Sequence, residues 1–141
     1  MPPNLSAAQG DDLAISHGFK AVQIGCSAWT AEALKLTMPA SVFSRSTECH
    51  NQDKVSMGTI AARDCRRVLD LTQQVVAASL LAATHGVKLR CLVSPNTEIK
   101  PPLQDYVDNI VSEHPLLAED RPLENELRAL TRWVGRVRGA T

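Results

Sequence analysis

The longest stretch without proline constrains this chain more than any other feature. It runs from Ser56 to about Arg90, has glycine only at Gly58 and Gly86, and repeats apolar residues at helical spacing. We predict one helix here, and about 30 residues at 1.5 Å each would extend it to about 45 Å. A compact domain of this size has a radius of gyration of about 14 Å. Such a helix would span more than the whole globule.

Shorter helices flank the long one. The same apolar spacing predicts helices over Leu13–Leu36, Leu103–His114 and Leu123–Val137. We expect Ser16 to cap the first of them, and residues 1–12, with two prolines and one glycine, to be a flexible lead-in. The predicted fold is an all-α bundle of long helices. Because its longest helix lacks partners in this chain, we expect oligomerisation or membership of a larger helical protein.

Composition narrows the possible functions. Fifteen basic residues balance fifteen acidic ones, so a broad basic face for nucleic acid is not expected. No run of about 18–20 apolar residues is seen, so we predict no membrane span. The four histidines lack the spacing of a metal site, and the four cysteines form no Cys-x-x-Cys pair. We therefore expect no metal, free thiols and, without a visible secretory signal, a cytoplasmic location.

The residues best suited to chemistry lie in the loop Ser44–Asp53, within the polar, irregular connection of residues 39–55. Within it, Glu48 and Asp53 are carboxylates, while Asn51 and Gln52 carry amides that both donate and accept hydrogen bonds. Asp53 lies just ahead of the long helix and is also suited to capping it. From the residues alone, both a plain connection between helices and a ligand site remain open.

Residues 41–63 resemble a known family. From Asn51 onward they read Asn-Gln-Asp-Lys-Val-Ser-Met-Gly-Thr-Ile-Ala-Ala-Arg. This long, ordered run looks like the aromatic amino acid lyase family, which holds histidine, phenylalanine and tyrosine ammonia-lyases and the related aminomutases. The resemblance extends to both sides and covers the chain from about Leu13 to Val134.

This resemblance implies a fold, a chemistry and a missing part. Family members are several times longer, so residues 13–141 would form a partial C-terminal helical region of their fumarase/aspartase-like helical fold. Their electrophile, a methylidene-imidazolone (MIO) group, forms from an internal Ala-Ser-Gly, and this sequence contains no Ala-Ser-Gly. Family members are homotetramers with sites shared between subunits. The resemblance thus implies no activity for this chain alone, and a homo-oligomer or the missing N-terminal half as its partner.

Three residues carry over from the family. Asn51 and Gln52 match catalytic positions that line the pocket of the substrate and the MIO group, and Glu48 matches a substrate-binding acidic position near the substrate amine. Histidine ammonia-lyases typically have Gln-Glu where this chain has Asn51 and Gln52. The neutral Gln52 therefore implies tyrosine or phenylalanine as the substrate rather than histidine, because a buried carboxylate needs a charged or hydrogen-bonding partner.

Two functions follow as hypotheses. By resemblance, the chain is part of a carbon–nitrogen lyase that eliminates ammonia non-oxidatively from an aromatic amino acid, or of an aminomutase. It would then supply bundle helices and one edge of the active site. The alternative is a catalytically inactive helical relic or interaction protein, whose exposed apolar faces make it self-associate.

Overall fold

The computed structural model describes residues 1–94 and 96–137. Its α-helices are α1 (Asp12–Ile15), α2 (Lys20–Lys35), α3 (Gly58–Val93), α4 (Pro101–Glu113) and α5 (Glu124–Val137). Short 3-10 turns lie at Pro3–Leu5, Ala40–Phe43 and Glu48–His50, and no strand occurs among the described residues. The predicted all-α fold is confirmed. The predicted helical region runs to residue 141, and its last four residues lie outside the part of the chain that is described.

Helix α3 is the centre of the fold. Its 36 residues correspond to a length of about 54 Å, and it contacts α2, α4 and α5. The predicted Ser56–Arg90 helix is therefore present, with its start two residues later and its end three residues later than expected. Its first N–H group is bound not by Asp53 but by the hydroxyl of Ser56, which accepts from Gly58 N at 3.3 Å. The predicted capping role of Asp53 is wrong.

The predicted helix Leu13–Leu36 is two helices, because the chain turns sharply at Gly18. The carboxylate of Asp120 accepts hydrogen bonds from the backbone N–H groups of His17 and Gly18, both at 2.8 Å. Gly18 has φ +51°, a left-handed conformation that glycine adopts without steric cost. Ser16 therefore ends α1 instead of capping α2. The apolar periodicity continues through this turn, which is why spacing alone predicts one helix.

Part of the N-terminal segment has defined contacts. Ser6 is fully buried and Ala8 is nearly so. The N–H of Ala7 donates to the carbonyl of Leu117 at 2.7 Å, and the N–H of Phe19 donates to the carbonyl of Asn4 at 2.9 Å. The flexibility of residues 1–12 stays a prediction, but residues 4–8 are held against the helices by these bonds.

The two halves of α3 differ in burial. The buried residues of the helix all lie from residue 71 onward: Leu71, Ala77, Ala78, Leu81, Thr84, His85 and Leu89. From residue 58 to residue 70, by contrast, every residue except Asp64 and Val68 is exposed. The core therefore surrounds the C-terminal half of α3, and the N-terminal half extends beyond it.

One face of α3 carries a line of exposed small and apolar side chains. We call it the outer stripe; it consists of Ala62, Cys65, Leu69, Val76 and Ala83, all exposed. Their spacings of three, four and seven residues place them on one side of the helix, as in the contact seam of a coiled coil. Helix α3 contacts α2, α4 and α5, but the outer stripe remains exposed in the part of the chain that the structure describes, and a further helical partner for it stays a prediction.

The hydropathy of α3 corrects one prediction. Among the described residues, this helix is long and apolar enough to cross a membrane by length and composition alone, with mean hydropathy 1.3 over an 18-residue window. The prediction that no segment approaches this threshold is wrong. The same window is 33% buried within the chain, and the core helix of a soluble protein passes the same test. The absence of a membrane partner stays a prediction.

His85 ties α3 to the end of α4. Its ring is fully buried; Nε2 donates to the backbone carbonyl of His114 at 3.0 Å, and Phe19 packs edge-on at 5.1 Å. Because a carbonyl only accepts, Nε2 carries the proton, and the buried Nδ1 has no partner among the described residues. Burial lowers the pKa of His85, outweighing the bond to His114, which raises it. The neutral ring is the form that fits this site.

We expect the chain to lose stability as the pH falls through the ordinary pKa of histidine. Above about pH 6.5 the ring is neutral in both the folded and the unfolded state. Below it the unfolded state binds the proton more readily, so stability falls by up to about 1.4 kcal/mol per pH unit. Thermal unfolding between pH 7.5 and 5.5 measures this slope. The slope should shrink in His85→Phe and persist in His50→Gln, since His50 is exposed; equal slopes in both variants contradict the assignment.

Candidate active site

The segment that holds the predicted site residues connects α2 to α3. Helix α2 ends at Lys35, and the 3-10 turn Ala40–Phe43 contacts α3. Residues 44–55, which we call the polar loop, then lead toward the N-terminal end of the long helix at Gly58. The loop therefore lies at the exposed half of α3, away from the core around its C-terminal half.

The base of the polar loop is closed by one buried side chain. Ser44 is 3% exposed; its hydroxyl accepts from Val55 N at 2.8 Å and donates to Val55 O at 3.0 Å. The carbonyl of Ser44 also accepts from Arg45 Nη1 at 2.9 Å. A serine hydroxyl thus replaces the paired backbone contact that a short hairpin would have here. Both backbone polar groups of Val55 are satisfied by it.

A second closure lies inside the first. Thr47 N donates to Gln52 O at 3.0 Å, and Gln52 N donates to the Thr47 hydroxyl at 2.9 Å. Thr47 is three residues after Ser44, and Gln52 is three residues before Val55. The two closures therefore share one centre, and the loop is a narrow hairpin-like structure held by side-chain hydroxyls.

The tip of the polar loop has an unusual backbone. Cys49 and His50 have φ of 50° and 57°, in the left-handed region that side chains with a Cβ rarely occupy. Backbone bonds from His50 N to Thr47 O (3.1 Å) and from Asn51 N to Glu48 O (2.9 Å) hold this conformation. Strained backbone of this kind persists where surrounding bonds over-determine it. The tip is therefore shaped by the loop's own hydrogen bonds.

The three predicted site residues all lie on the inner six-residue closure. Glu48 follows Thr47, and Asn51 and Gln52 complete the ring; all three are exposed. Within the described part of the chain, their side chains form no hydrogen bonds, although the loop backbone around them is well bonded. The structure therefore brings these groups together on one ordered support and leaves one carboxylate and two amides free for a ligand or for another part of an assembly. Their roles stay predictions.

Sequence reasoning overlooked Ser44 and Thr47. The signal was present, because Ser and Thr side chains commonly bond nearby backbone groups in turns. Segment 44–47 carries three hydroxyls, at Ser44, Ser46 and Thr47. Which backbone groups they would bind depends on the path of the loop, and spacing does not reveal that path.

A cavity also lies away from the polar loop. A groove of about 650 Å³ runs between α2 and α5 and is lined by Trp29, Gln74 and Arg132, among others. It contains no residue of the polar loop. Its arginines at positions 121 and 128 are paired with Glu126 and Glu124 within α5 and its approach. We place the candidate site at the polar loop, because the free polar groups are there and volume alone supplies no chemistry.

No cluster of three or more metal-ligating side chains occurs in residues 1–94 and 96–137. The four cysteines are free thiols. Burial raises the pKa of Cys26, so that thiol is less readily ionised than a typical one. The absence of a metal cofactor stays a prediction.

The comparison with known proteins agrees with the resemblance. The family model described as "Aromatic amino acid lyase" matches residues 1–110. A tyrosine ammonia-lyase of Cereibacter sphaeroides is 38% identical over 116 residues, which are 82% of this chain and 22% of that protein. A phenylalanine aminomutase of Taxus chinensis is 32% identical over 136 residues, which are 96% of this chain and 18% of that protein.

A solved structure shows the same fold. The histidine ammonia-lyase of Trypanosoma cruzi superposes with a TM-score of 0.80 at 26% identity, over 96% of this chain and 25% of that one. The chain therefore spans about a quarter or less of the length of the relatives it matches. Its helices reproduce one segment of a larger helical lyase fold. With 110 of its 141 residues matched by the family model, the chain belongs to the aromatic amino acid lyase family.

Proposed function

We propose that this chain supplies one edge of the active site of an aromatic amino acid ammonia-lyase or aminomutase, with tyrosine or phenylalanine as the substrate and histidine as the less favoured one. The observation that carries the proposal is the polar loop. Its backbone is fixed by six hydroxyl and backbone bonds, while the side chains of Glu48, Asn51 and Gln52 remain free of partners in the described chain. A support ordered in this way is suited to holding a ligand in one geometry.

Each side chain has a role that suits its chemistry. The Glu48 carboxylate is an acceptor for the substrate ammonium, and a charge-assisted hydrogen bond there would orient the amino group that leaves. Asn51 and Gln52 each offer an N–H donor and a carbonyl acceptor. The neutral amide of Gln52 can border an uncharged aromatic ring without the desolvation penalty that a carboxylate would incur. These groups bind and orient, and none of them acts as the electrophile.

The family's MIO group supplies the electrophilic activation of the substrate when it is present. The donor set of the polar loop fits such a neighbour, because the side-chain amides of Asn51 and Gln52 can each donate an N–H to the carbonyl oxygen of such a ring. The sequence of this chain contains no Ala-Ser-Gly from which the group forms. We therefore propose that the chain alone is inactive and that it acts together with the rest of a complete enzyme.

The outer stripe of α3 supports a partner made of helices. Leu69 and Val76 are each 43% exposed, and the small residues Ala62 and Ala83 on the same face permit close approach of a second helix. Burying a side chain of this size is worth about 1.5–3 kcal/mol. We propose that this stripe packs against bundle helices of the complete enzyme, either from the missing N-terminal half or from other copies in a homo-oligomer.

The alternative function is an inactive helical protein that self-associates. The same stripe favours it, because an exposed apolar seam binds another copy as readily as a lyase helix. The two functions differ in one respect that an experiment can measure. Only the first requires the polar loop to touch a substrate.

Reconstitution tests the proposal. The chain is co-expressed with the part of the Cereibacter sphaeroides tyrosine ammonia-lyase that lies outside the matched segment. We expect the two to purify together and to release an α,β-unsaturated acid from tyrosine or phenylalanine, detected by its ultraviolet absorbance. The chain alone should release none and should elute as an oligomer on gel filtration.

Matched variants separate assembly from chemistry. Leu69→Glu should prevent co-purification, since it places a charge in the outer stripe. Leu92→Glu is the control, because Leu92 is 69% exposed on the opposite side of the same helix and should leave assembly unchanged. A stable assembly that forms with the native chain but releases no product favours the inactive relic.

A further inference from the structure

Thr47 engages Gln52 through both its main chain and its side chain. Thr47 N donates to Gln52 O at 3.0 Å, and the Thr47 hydroxyl accepts from Gln52 N at 2.9 Å. We propose that Thr47 is the positioning residue for Gln52, and that its hydroxyl sets the direction in which the Gln52 amide faces the substrate. This inference rests on the proposed function, since it gives a role to a residue of the same site.

Both backbone polar groups of Gln52 are therefore held by one residue. Thr47 O also accepts from His50 N at 3.1 Å, so Thr47 fixes the tip and the closing residue together. The ring from Thr47 to Gln52 is itself anchored by the buried Ser44, whose hydroxyl closes the base of the loop. This closed ring fixes the backbone orientation of Gln52 and leaves its side chain free.

The hydroxyl is the part of Thr47 that sets this arrangement. Without it, Gln52 N loses its acceptor, while Thr47 N can still donate to Gln52 O. The peptide between Asn51 and Gln52 can then rotate, because its N–H is no longer held, and the Gln52 side chain that follows it is displaced. Misplacement of a reacting group by about 1 Å can lower the rate about a hundredfold.

A purely structural role is disfavoured by the surroundings of Thr47. The residue is half-exposed and does not belong to the hydrophobic core, which consists of Phe19, Ala77, Leu81, Leu117, Leu123 and Leu130. Loss of its hydroxyl should therefore leave the fold intact. Removal of the Thr47 hydroxyl should change only the structure of the polar loop, so a measurement at the loop itself tests the proposal.

The first test uses the chain as it is and needs no activity. Hydrogen–deuterium exchange measured by NMR reports on the Gln52 N–H in the native chain, in Thr47→Val and in Thr47→Ser. We expect Thr47→Val, which keeps the shape but removes the acceptor, to accelerate exchange at Gln52 about tenfold, and Thr47→Ser to restore protection. Thr37→Val is the matched control, because the Thr37 hydroxyl bonds to Leu34 O at 2.7 Å outside the loop. Unchanged exchange in Thr47→Val overturns the proposal.

The second test uses the reconstituted enzyme and a double-mutant cycle. We expect Thr47→Val to lower kcat/KM about tenfold, and to change the ratio of the values for tyrosine and phenylalanine, which does not depend on the amount of folded enzyme. In a Gln52→Ala background, Thr47→Val should have little further effect, because a positioning residue acts through the residue it positions. Equal losses in both backgrounds overturn the proposal. If Gln52→Ala itself leaves turnover unchanged, the proposed function fails, and the exchange result still decides the contact.

Discussion

Gln52→Glu should lower kcat/KM for tyrosine and phenylalanine by about ten- to a hundredfold in the reconstituted enzyme. This corresponds to about 1.4–2.7 kcal/mol of lost transition-state stabilisation. The substitution keeps the size of the side chain and the hydroxyl-bound backbone of Gln52. It removes an N–H donor and introduces a carboxylate, which must be desolvated against an uncharged ring. The decrease in kcat/KM therefore measures the effect of the added charge and the missing N–H donor at the edge of the pocket.

The effect of Gln52→Glu should also differ from one amino acid substrate to another. An imidazole N–H and a phenol O–H can both donate to a carboxylate, whereas a phenyl ring has no donor, so turnover of phenylalanine should fall more than turnover of histidine or tyrosine. The measurement is the ratio of kcat/KM values for the three amino acids in Gln52→Glu and in the native assembly. Gln23→Glu is the control, since Gln23 is exposed on α2 outside the loop. If each substrate has the same kcat/KM in the Gln52→Glu enzyme as in the native enzyme, the placement of Gln52 at the pocket is contradicted.

The helices were largely predictable because they depend on short-range pattern. Apolar spacing and the absence of proline between residues 56 and 90 predict α3 to within three residues at either end. Pro101 and Pro102 at the start of α4 follow the preference of proline for a first helical turn. These signals are local, so a single sequence contains them.

The break at Gly18 was not predictable from spacing, because its cause is remote in sequence. Asp120 lies more than 100 residues away from the turn that it stabilises. Its carboxylate binds two successive backbone N–H groups, and these bonds lower the pKa of Asp120, with the bond to His17 as the largest cause. A helix would have to give up these contacts to continue through residues 16–19. Long-range pairing of this kind has no signature in the local pattern.

The candidate site was predictable only in part. The polar residues Glu48, Asn51 and Gln52 are visible in the sequence, and the family resemblance gives them roles. The two hydroxyl closures at Ser44 and Thr47 are not visible, since each depends on which backbone groups the folded loop brings within reach. The residue types therefore identify the side chains that can bind a ligand. Only the structure identifies Ser44 and Thr47 as the residues that hold the loop around them.

Gly18→Ala should destabilise the chain by about 1.5–3.5 kcal/mol. Gly18 has φ +51°, where a residue with a Cβ costs about 1–2 kcal/mol. An added Cβ would also lie 2.4 Å from the carbonyl oxygen of Asn4, which accepts the hydrogen bond from Phe19 N. The backbone at Asn4 would have to move, and loss of that bond costs about a further 0.5–1.5 kcal/mol. Urea unfolding followed by circular dichroism measures the change.

Gly10→Ala separates the two parts of this cost. Gly10 has φ +61°, but an added Cβ there would meet nothing within 4 Å, so this variant should lose only the conformational part, about 1–2 kcal/mol. The difference between the two variants is then the cost of pushing Asn4 away from Phe19. If both variants lose the same free energy of unfolding, the N-terminal segment can move away from Gly18 at no cost, and its contacts contribute little to the stability of the fold. An added Cβ at Gly18 would meet Asn4 rather than the polar loop, so hydrogen exchange at Gln52 should stay unchanged in Gly18→Ala. This result would distinguish loss of global stability from loss of loop order.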